Sequence, residues 1–326
     1  MILPQPPRER HPTEGWGQGS FHRKPSRLKH HKTRGEFKVS EPICTPFLFW
    51  EHRGRTSSPD LGSLLGKMQP LLLLLLLAFC LPSGAKAGEI IGGHEAKPHS
   101  RPYMAYLKIE NKNEQVSCGG FLIHKKFVLT AAHCHGSSIR VILGAHNIKK
   151  QERTQQDIPV RKAIPHPDYN PKNYSNDIML LKLEREAKQT AAVRPLRLPT
   201  GKTRVRPGQV CSVAGWGRVN AKIRTFSDTL QVVRLAVQED GKCKSLFPSH
   251  YDRTIQLCVG DPMEEKSSFQ GDSGGPLVCN SVAQGIVSFG HRNGTPPRVY
   301  TKISTFLPWI KKTMKSPYLQ EPDYLL

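Results

Sequence analysis

The stretch GDSGGPLVC, residues 271–279, places a serine among three glycines and leads into a short apolar run that ends in a cysteine. Similar short apolar runs, bounded by turn residues, recur after residue 89, including CGGFLI (118–123), RVILGA (140–145) and AQGIVSFG (283–290). Many short runs rich in valine, isoleucine, leucine and phenylalanine are typical of antiparallel strands in barrels or sandwiches. The sequence therefore predicts an all-β fold for this part of the chain.

One α-helix is predicted close to the end of the chain. Phe306, Leu307, Ile310 and Met314 follow the spacing of one helical face, and Ser304 stands where an N-cap is expected. The residues that follow, 317–326, are expected to form a short tail.

A secretory signal divides the chain. Seven leucines, residues 71–77, lie in an apolar run (70–81) that is too short to span a bilayer comfortably, and the triplet Ala85-Lys86-Ala87 follows it. A small-x-small triplet after such a run is typical of a signal-peptidase site. We interpret residues 68–87 as a signal peptide and residues 1–67 as a basic extension that is disordered or unexpressed. A signal-anchor is the alternative.

The chain remains basic after this segment is removed. Residues 1–89 hold 13 of the 48 Lys and Arg and 7 of the 26 Asp and Glu, which leaves a net charge of +16. A surface with this charge favours polyanions. Because the chain carries a secretory signal and no nucleic-acid-binding signature, we expect sulfated proteoglycan rather than a specific nucleic acid.

Six cysteines follow residue 89, an even number that predicts three disulfides in an exported protein. Six cysteines allow 15 pairings, so their number alone does not fix the connectivity. No C-x-x-C pair is present, and the sequence implies neither a metal nor an organic cofactor. The cysteines are Cys118, Cys134, Cys211, Cys243, Cys258 and Cys279.

Three motifs carry residues suited to nucleophilic catalysis. LTAAHC (129–134) contains His133, NDIMLLKL (176–183) contains Asp177, and the opening stretch contains Ser273. Each motif alone is moderate evidence, because a single histidine or aspartate is more often structural. Together, in the order His, Asp, Ser, they match the triad order of one class of serine hydrolases.

With these motifs, residues 90–316 resemble the chymotrypsin-fold serine proteases. Within that family they are most similar to the granzyme, chymase and cathepsin G branch, in particular to granzymes of the B type. IIGGHEAKPHSRPYMAYL (90–107) and VAGWG (213–217) add to the resemblance. It implies two antiparallel β-barrels followed by a C-terminal helix.

The resemblance implies a role for each motif residue. His133 would take the proton of the Ser273 hydroxyl, and Asp177 would hold the imidazole in the required tautomer. The backbone N–H groups of Gly271 and Ser273 would form the oxyanion hole. The inactive-homologue alternative is disfavoured, because no triad residue is missing.

The resemblance also implies activation by proteolysis. Cleavage after Ala87 leaves the dipeptide Gly88-Glu89, which a dipeptidyl peptidase would remove. The new amine of Ile90 would then turn inward and pair with Asp272. Burying that carboxylate without a cation is costly, so the oxyanion hole is expected to form only after processing.

The same resemblance pairs Cys118 with Cys134, Cys211 with Cys279, and Cys243 with Cys258. Many relatives carry another cysteine two residues before the oxyanion-hole glycine. Phe269 stands at that position in this chain.

The pocket for the residue before the scissile bond decides which substrate is cut. By resemblance, Ser267 lies at its base, where trypsin-like enzymes carry aspartate. Arg298 lies on its far wall, so the resemblance predicts cleavage after Asp, with Glu second. The edge that pairs with the substrate backbone is expected to consist of Ser288, Phe289 and Gly290.

Two further residues, Tyr174 and Gln270, are expected to flank neighbouring subsites. Asn173 begins the sequon Asn-Tyr-Ser and is a predicted glycosylation site.

The sequence therefore predicts a secreted, granule-stored serine endopeptidase that cuts proteins after Asp. By resemblance its substrates include caspase-type zymogens, and perforin would deliver it into cells. Two alternatives remain: a chymase-like protease that cuts after aromatic residues, and a non-catalytic polyanion-binding or antimicrobial homologue.

Overall fold

The computed structural model describes residues 90–112, 114–200, 204–220 and 225–319. The predicted extension, signal peptide and activation dipeptide (1–89) and most of the tail (320–326) lie outside these residues. No helix in the described part of the chain is both long and apolar enough to cross a membrane.

The described residues form a mainly β structure with two α-helices and two short 3-10 helices. The strands are β1 (His94–Glu95), β2 (Met104–Asn111), β3 (Glu114–His124), β4 (Phe127–Thr130), β5 (Ser138–Leu143), β6 (Gln156–Pro165), β7 (Met179–Leu183), β8 (Val210–Gly215), β9 (Gln231–Ala236), β10 (Gln256–Val259), β11 (Pro276–Cys279), β12 (Val282–Phe289) and β13 (Arg298–Lys302). The α-helices are α1 (Asp240–Leu246) and α2 (Ile303–Met314), and the 3-10 helices are Ala132–Cys134 and Pro317–Leu319.

Six antiparallel strands close into a barrel in the order β2-β3-β4-β7-β6-β5. Its strands carry the apolar runs seen in the sequence, and β7 is buried along its whole length. Phe121, Leu129 and Met179 are fully buried in the core between them. Closure leaves the barrel without free strand edges, which explains how such short strands form a stable sheet.

The remaining seven strands form a second antiparallel sheet in the order β1-β9-β8-β11-β12-β13-β10. Gln238 N donates to Cys258 O at 2.8 Å, and Gly260 N donates to Ala236 O at 2.8 Å. These two bonds join the end of β10 to the end of β9, so the sheet curls back on itself. The predicted all-β class is confirmed.

The predicted C-terminal helix is present as α2, and Phe306, Leu307 and Ile310 are buried along it. The predicted N-cap is wrong. The cap position belongs to Lys302, without a side-chain cap bond, and Ser304 lies inside the helix. Strand β13 runs directly into the helix, so the buried side chain of Ile303 fixes where the first turn begins.

Helix α1 was not predicted from the sequence. It has seven residues, includes Gly241, and buries only Cys243. A helix this short carries no apolar period that would distinguish it from a loop. The disulfide between Cys243 and Cys258 ties it to β10.

All three disulfides in the described residues have the connectivity that the resemblance implied. Cys118–Cys134 joins β3 to the 3-10 helix that carries His133, and Cys211–Cys279 joins β8 to β11. These two bonds therefore brace the segments that carry His133 and Ser273.

The barrel and the second sheet meet at the serine motif. Gly119 N, in β3 of the barrel, donates to Ser273 O at 2.8 Å. A Cβ at Gly119 would lie 3.2 Å from the backbone of Gly275, so a glycine allows the two segments to approach this closely. The candidate site consequently lies at the junction of the two sheets.

Candidate active site

His133 and Asp177 reach each other from different strands of the barrel. The 3-10 helix after β4 carries His133, and Asp177 precedes β7, the neighbour of β4. His133 Nδ1 lies 2.7 Å from Asp177 Oδ2, and His133 N donates to Asp177 Oδ1 at 3.0 Å. Two contacts to one carboxylate fix both the backbone and the ring of the histidine. This geometry leaves Nε2 as the ring nitrogen that can accept a proton.

The second sheet holds the carboxylate of Asp177 in place. Ser288 Oγ donates to Asp177 Oδ2 at 2.5 Å, and Thr301 Oγ1 donates to the backbone oxygen of Asp177 at 2.7 Å. Asp177 is fully buried. A buried carboxylate with several donors keeps its orientation, and it therefore constrains the imidazole that it contacts.

The imidazole of His133 remains accessible and basic. Its side chain is 21% exposed, and its ring meets the ring of Tyr174 edge-on at 5.8 Å between centroids. Burial disfavours the imidazolium, but the charge and the hydrogen bond of Asp177 outweigh it, so the pKa of His133 is raised above 6.5. A base with this pKa can accept a proton from a hydroxyl near neutral pH.

Ser273 lies in a turn whose shape depends on glycine. Gly271 has φ +95° and Gly274 has φ +80°, both in the left-handed region. A Cβ at Gly271 would lie 2.8 Å from Gly217, and one at Gly274 would lie 2.1 Å from Thr130. Neither position of the turn therefore has room for a residue with a side chain.

The same turn leaves backbone donors available. Among the described residues, the N–H groups of Gly271 and Ser273 donate to no other protein group. Nor is there a hydrogen bond between Ser273 and His133 in this part of the chain. Such contacts commonly tighten only when substrate binds. Backbone N–H groups without an internal acceptor, next to a hydroxyl, are suited to an oxyanion.

Asp272 points away from the hydroxyl of Ser273 into the interior. Gly217 N donates to its Oδ1 at 3.0 Å, and Phe269 N donates to its Oδ2 at 2.8 Å. Burial raises the pKa of Asp272 to about 7, and the two backbone bonds only partly oppose that effect. The side chain of Ile90 is also fully buried, in the core of the second sheet.

The residues predicted for substrate selection lie in the segment before the serine turn, in β12 and just after it, and at the start of β13. Ser267 is buried, and its Oγ donates to Ser268 O at 2.9 Å. Arg298 enters from β13, is 8% exposed, and donates from a terminal nitrogen to His291 O at 3.0 Å. A Cβ at Gly290 would lie 2.9 Å from the guanidinium carbon of Arg298. The absence of a side chain at Gly290 therefore leaves room for the arginine.

Two polar residues near Arg298 were not predicted from the sequence. Ser268 Oγ and the hydroxyl of Tyr300 lie 2.6 Å apart, and both residues are fully buried. Burial raises the pKa of Tyr300, so its hydroxyl stays protonated. Strand periodicity is a signal that could have found it, because Tyr300 is two residues from Arg298 and shares its face of β13.

Tyr174 and Gln270 each contact a neighbouring side chain. The ring of Tyr174 stacks on that of Phe289 with centroids 5.3 Å apart. Gln270 Oε1 accepts a hydrogen bond from the guanidinium of Arg218 at 2.6 Å. Asn173 precedes Tyr174 and is partly exposed, and its Oδ1 accepts a bond from Ser175 N at 3.1 Å.

A metal does not fit at this site. Sγ of Cys118, Sγ of Cys134 and a ring nitrogen of His133 lie within 4.8 Å of one another. Both sulfurs belong to one disulfide, so neither is available as a thiolate ligand.

Comparisons with known proteins agree with this geometry. The family model described as Trypsin matches residues 90–310. Human granzyme B is 68% identical over 248 residues, covering 76% of this chain and 99% of the relative. Human granzyme H is 64% identical over 248 residues, covering 76% of this chain and 99% of that relative. Human cathepsin G is 58% identical over 249 residues, covering 76% of this chain and 96% of that relative.

A solved structure described as "Structure of GrC" superposes with a TM-score of 0.68 and 57% sequence identity. The match covers 70% of this chain and 100% of that one. The likeness to known proteins therefore extends from sequence to fold.

Proposed function

The chain belongs to the trypsin family and is a serine endopeptidase, and we propose that it cleaves proteins after aspartate residues. The buried guanidinium of Arg298 is the observation that supports this specificity. Its Nε is buried and has no hydrogen-bond partner among the described residues. A buried cation with an unused donor is suited to a carboxylate, because the pair forms charge-assisted hydrogen bonds.

The length of the substrate side chain is set by where the guanidinium lies. It lies against Gly290, at the predicted substrate-binding edge. A carboxylate on one methylene suits a guanidinium at this edge better than the longer side chain of glutamate. We therefore expect Asp to be preferred over Glu, and Lys and Arg to be repelled by the like charge.

The catalytic steps follow from the geometry around His133. Nε2 of His133 takes the proton of Ser273 as the hydroxyl attacks the scissile carbonyl. Asp177 keeps Nδ1 protonated and stabilises the imidazolium that forms. The N–H groups of Gly271 and Ser273 bind the oxyanion, and each such donor is worth roughly 10²- to 10³-fold in rate. The imidazolium then gives its proton to the leaving amine as the peptide C–N bond breaks. A water deprotonated by the same Nε2 then hydrolyses the acyl group from Ser273 and restores its hydroxyl.

A peptide library that varies only the residue before the cut tests this specificity. Asp, Glu, Phe and Lys should be compared in the processed wild-type protein and in Arg298→Gly. We expect the wild type to cut after Asp and Arg298→Gly to lose that preference. Ser273→Ala is the matched control for contaminating proteases. Cleavage after Phe by the wild type would instead support the chymase-like alternative, and Asp cleavage that survives in Arg298→Gly would refute the pocket assignment.

Activation is proposed to require removal of Gly88-Glu89 by a dipeptidyl peptidase. The amine freed at Ile90 would supply a cation for the buried carboxylate of Asp272. Backbone bonds from Gly217 and Phe269 already hold that carboxylate beside the oxyanion turn. The ion pair would therefore stabilise the turn that carries Gly271 and Ser273.

The proposed setting is the secretory pathway and the lytic granule, with sulfated proteoglycan as a storage partner. Perforin-assisted delivery and caspase-type zymogens as substrates follow from the resemblance alone. A basic groove of about 420 Å³ supports the polyanion partner. Its lining includes Lys125, Lys126, Lys311 and Lys315, with Glu186 as the acidic member.

Heparin chromatography tests this groove as the polyanion site. Lys311→Glu with Lys315→Glu removes two of its cations, and Lys149→Glu with Lys150→Glu makes the same charge change at exposed lysines elsewhere. We expect the first pair to elute at lower salt than the second, because a local cluster binds more strongly than scattered charge. Equal shifts would refute the assignment of the groove.

A further inference from the structure

The aromatic ring of Phe269 lies close to two guanidinium groups. The guanidinium carbon of Arg218 is 5.2 Å from the ring centroid, and that of Arg298 is 5.6 Å from it. Both distances are within the range of a cation–π contact. Phe269 is 2% exposed, so these contacts form away from water.

The turn that carries the oxyanion donors also fixes the position of this ring. Phe269 N donates to Asp272 Oδ2, and Phe269 O accepts a bond from Asp272 N at 3.0 Å. A Cβ at Gly294 would lie 3.2 Å from the ring edge, so the loop from 291 to 297 packs closely against it. The ring has little freedom to rotate away from Arg298.

Arg298 has few polar contacts to hold it in the pocket. Its bond to His291 O is made by one terminal nitrogen, and its Nε has no partner in the described part of the chain. Burial lowers the pKa of Arg298, while Tyr300 and Asp272 oppose that effect. A desolvated guanidinium gains most from a π face, because no water competes for it. The ring of Phe269 supplies that face.

We propose that Phe269 is a positioning residue for substrate selection, whose ring holds the guanidinium of Arg298 in line with the incoming carboxylate. The inference rests on the proposed cleavage after Asp. Phe269 touches neither substrate nor the reacting atoms, and it acts through Arg298.

The test compares two substrates that differ only in charge at the selected position, Asp and its isosteric amide Asn. Any defect in the oxyanion turn or in folding lowers kcat/KM for both substrates alike. Displacement of the guanidinium lowers it for Asp alone. The ratio of kcat/KM for Asp to that for Asn therefore reports the position of Arg298 separately from a general structural role.

In Phe269→Leu we expect this ratio to fall by about 3- to 30-fold, the range between an exposed and a desolvated cation–π contact. Most of the loss should appear in KM. Phe269→Tyr keeps the π face and should restore the ratio. In an Arg298→Met background, Phe269→Leu should leave the ratio unchanged. If Phe269→Leu is not secreted, Phe269→Met serves as the non-aromatic variant of similar volume.

An unchanged ratio in the non-aromatic variant, whatever happens to the rate, would overturn the inference. So would an equal loss in Phe269→Tyr, or an unchanged effect of the substitution in the Arg298→Met background. Failure of the proposed function is distinguishable, because the wild-type protein itself would then show no preference for Asp over Asn.

Discussion

Asp272→Asn should change the stability of the unprocessed protein in a pH-dependent way. The carboxyl of Asp272 has a pKa of about 7 in the folded chain, against an ordinary value of 3.8. Between these two values the unfolded chain loses its proton at this group while the folded chain keeps it. Because the unfolded state binds fewer protons, stability falls as pH rises from about 4 to about 7 and then levels off.

The size of the effect follows from the difference in pKa. A difference of about three units corresponds to about 4 kcal/mol of unfolding free energy. Asn cannot ionise, so the stability of the variant does not fall with pH through this group. The difference in stability between variant and wild type should therefore shift by about 4 kcal/mol between pH 4 and pH 8. For a domain of this size that is a change of roughly 8–16 °C in the difference between their Tm values.

Thermal unfolding of both proteins across this pH range measures the shift directly. Any fixed cost of the amide, whose NH₂ would face the N–H of Gly217 or Phe269, cancels because it does not depend on pH. Parallel Tm profiles for the two unprocessed proteins would refute the reasoning. In the processed protein we expect the variant to be less stable than the wild type. The amine of Ile90 would be left buried without a partner, at a cost of about 3–5 kcal/mol.

Four other outcomes are expected. Asp177→Asn should lower kcat by about 10⁴-fold in steady-state assays with an intact circular dichroism spectrum, because an amide favours the wrong tautomer of His133. Gly217→Ala, whose Cβ would lie 2.5 Å from Oδ1 of Asp272, should lower both Tm and activity. Gly241→Ala, with nothing within 4 Å of the new Cβ, should instead stabilise the protein by about 0.5–1 kcal/mol. Finally, the pKa of His133 is raised above 6.5, and protonation of this base should lower kcat/KM with the pH dependence of a single ionisation as pH falls. A flat profile between pH 5 and 8 would contradict that assignment.

The apolar pattern and the motifs were enough to predict the fold class. Short runs such as RVILGA became strands because each is long enough to cross a barrel and too short for a typical helix. The helix near the end was predicted by its spacing, since Phe306 and Ile310 lie on one buried face. Helix α1 escaped prediction because seven residues with a single buried side chain leave no periodic signal.

The three motif residues could be named from the sequence because their chemistry and order are distinctive. Their geometry could not be predicted, because it depends on contacts between distant segments. Ser288 is 111 residues from Asp177 along the chain, yet its hydroxyl donates to that carboxylate. No local pattern records such a contact.

Arg298 is the clearest case of a residue whose environment could not be predicted from the sequence alone. By composition it is one of 48 basic residues, and only the resemblance placed it near substrate. Its burial, its unpaired Nε and the ring of Phe269 beside it became visible only in the tertiary structure. The sequence by itself determined which groups can react, because reactivity belongs to residue types. The fold decided which of them are desolvated and face one another, because burial and direction arise only when the two sheets pack together.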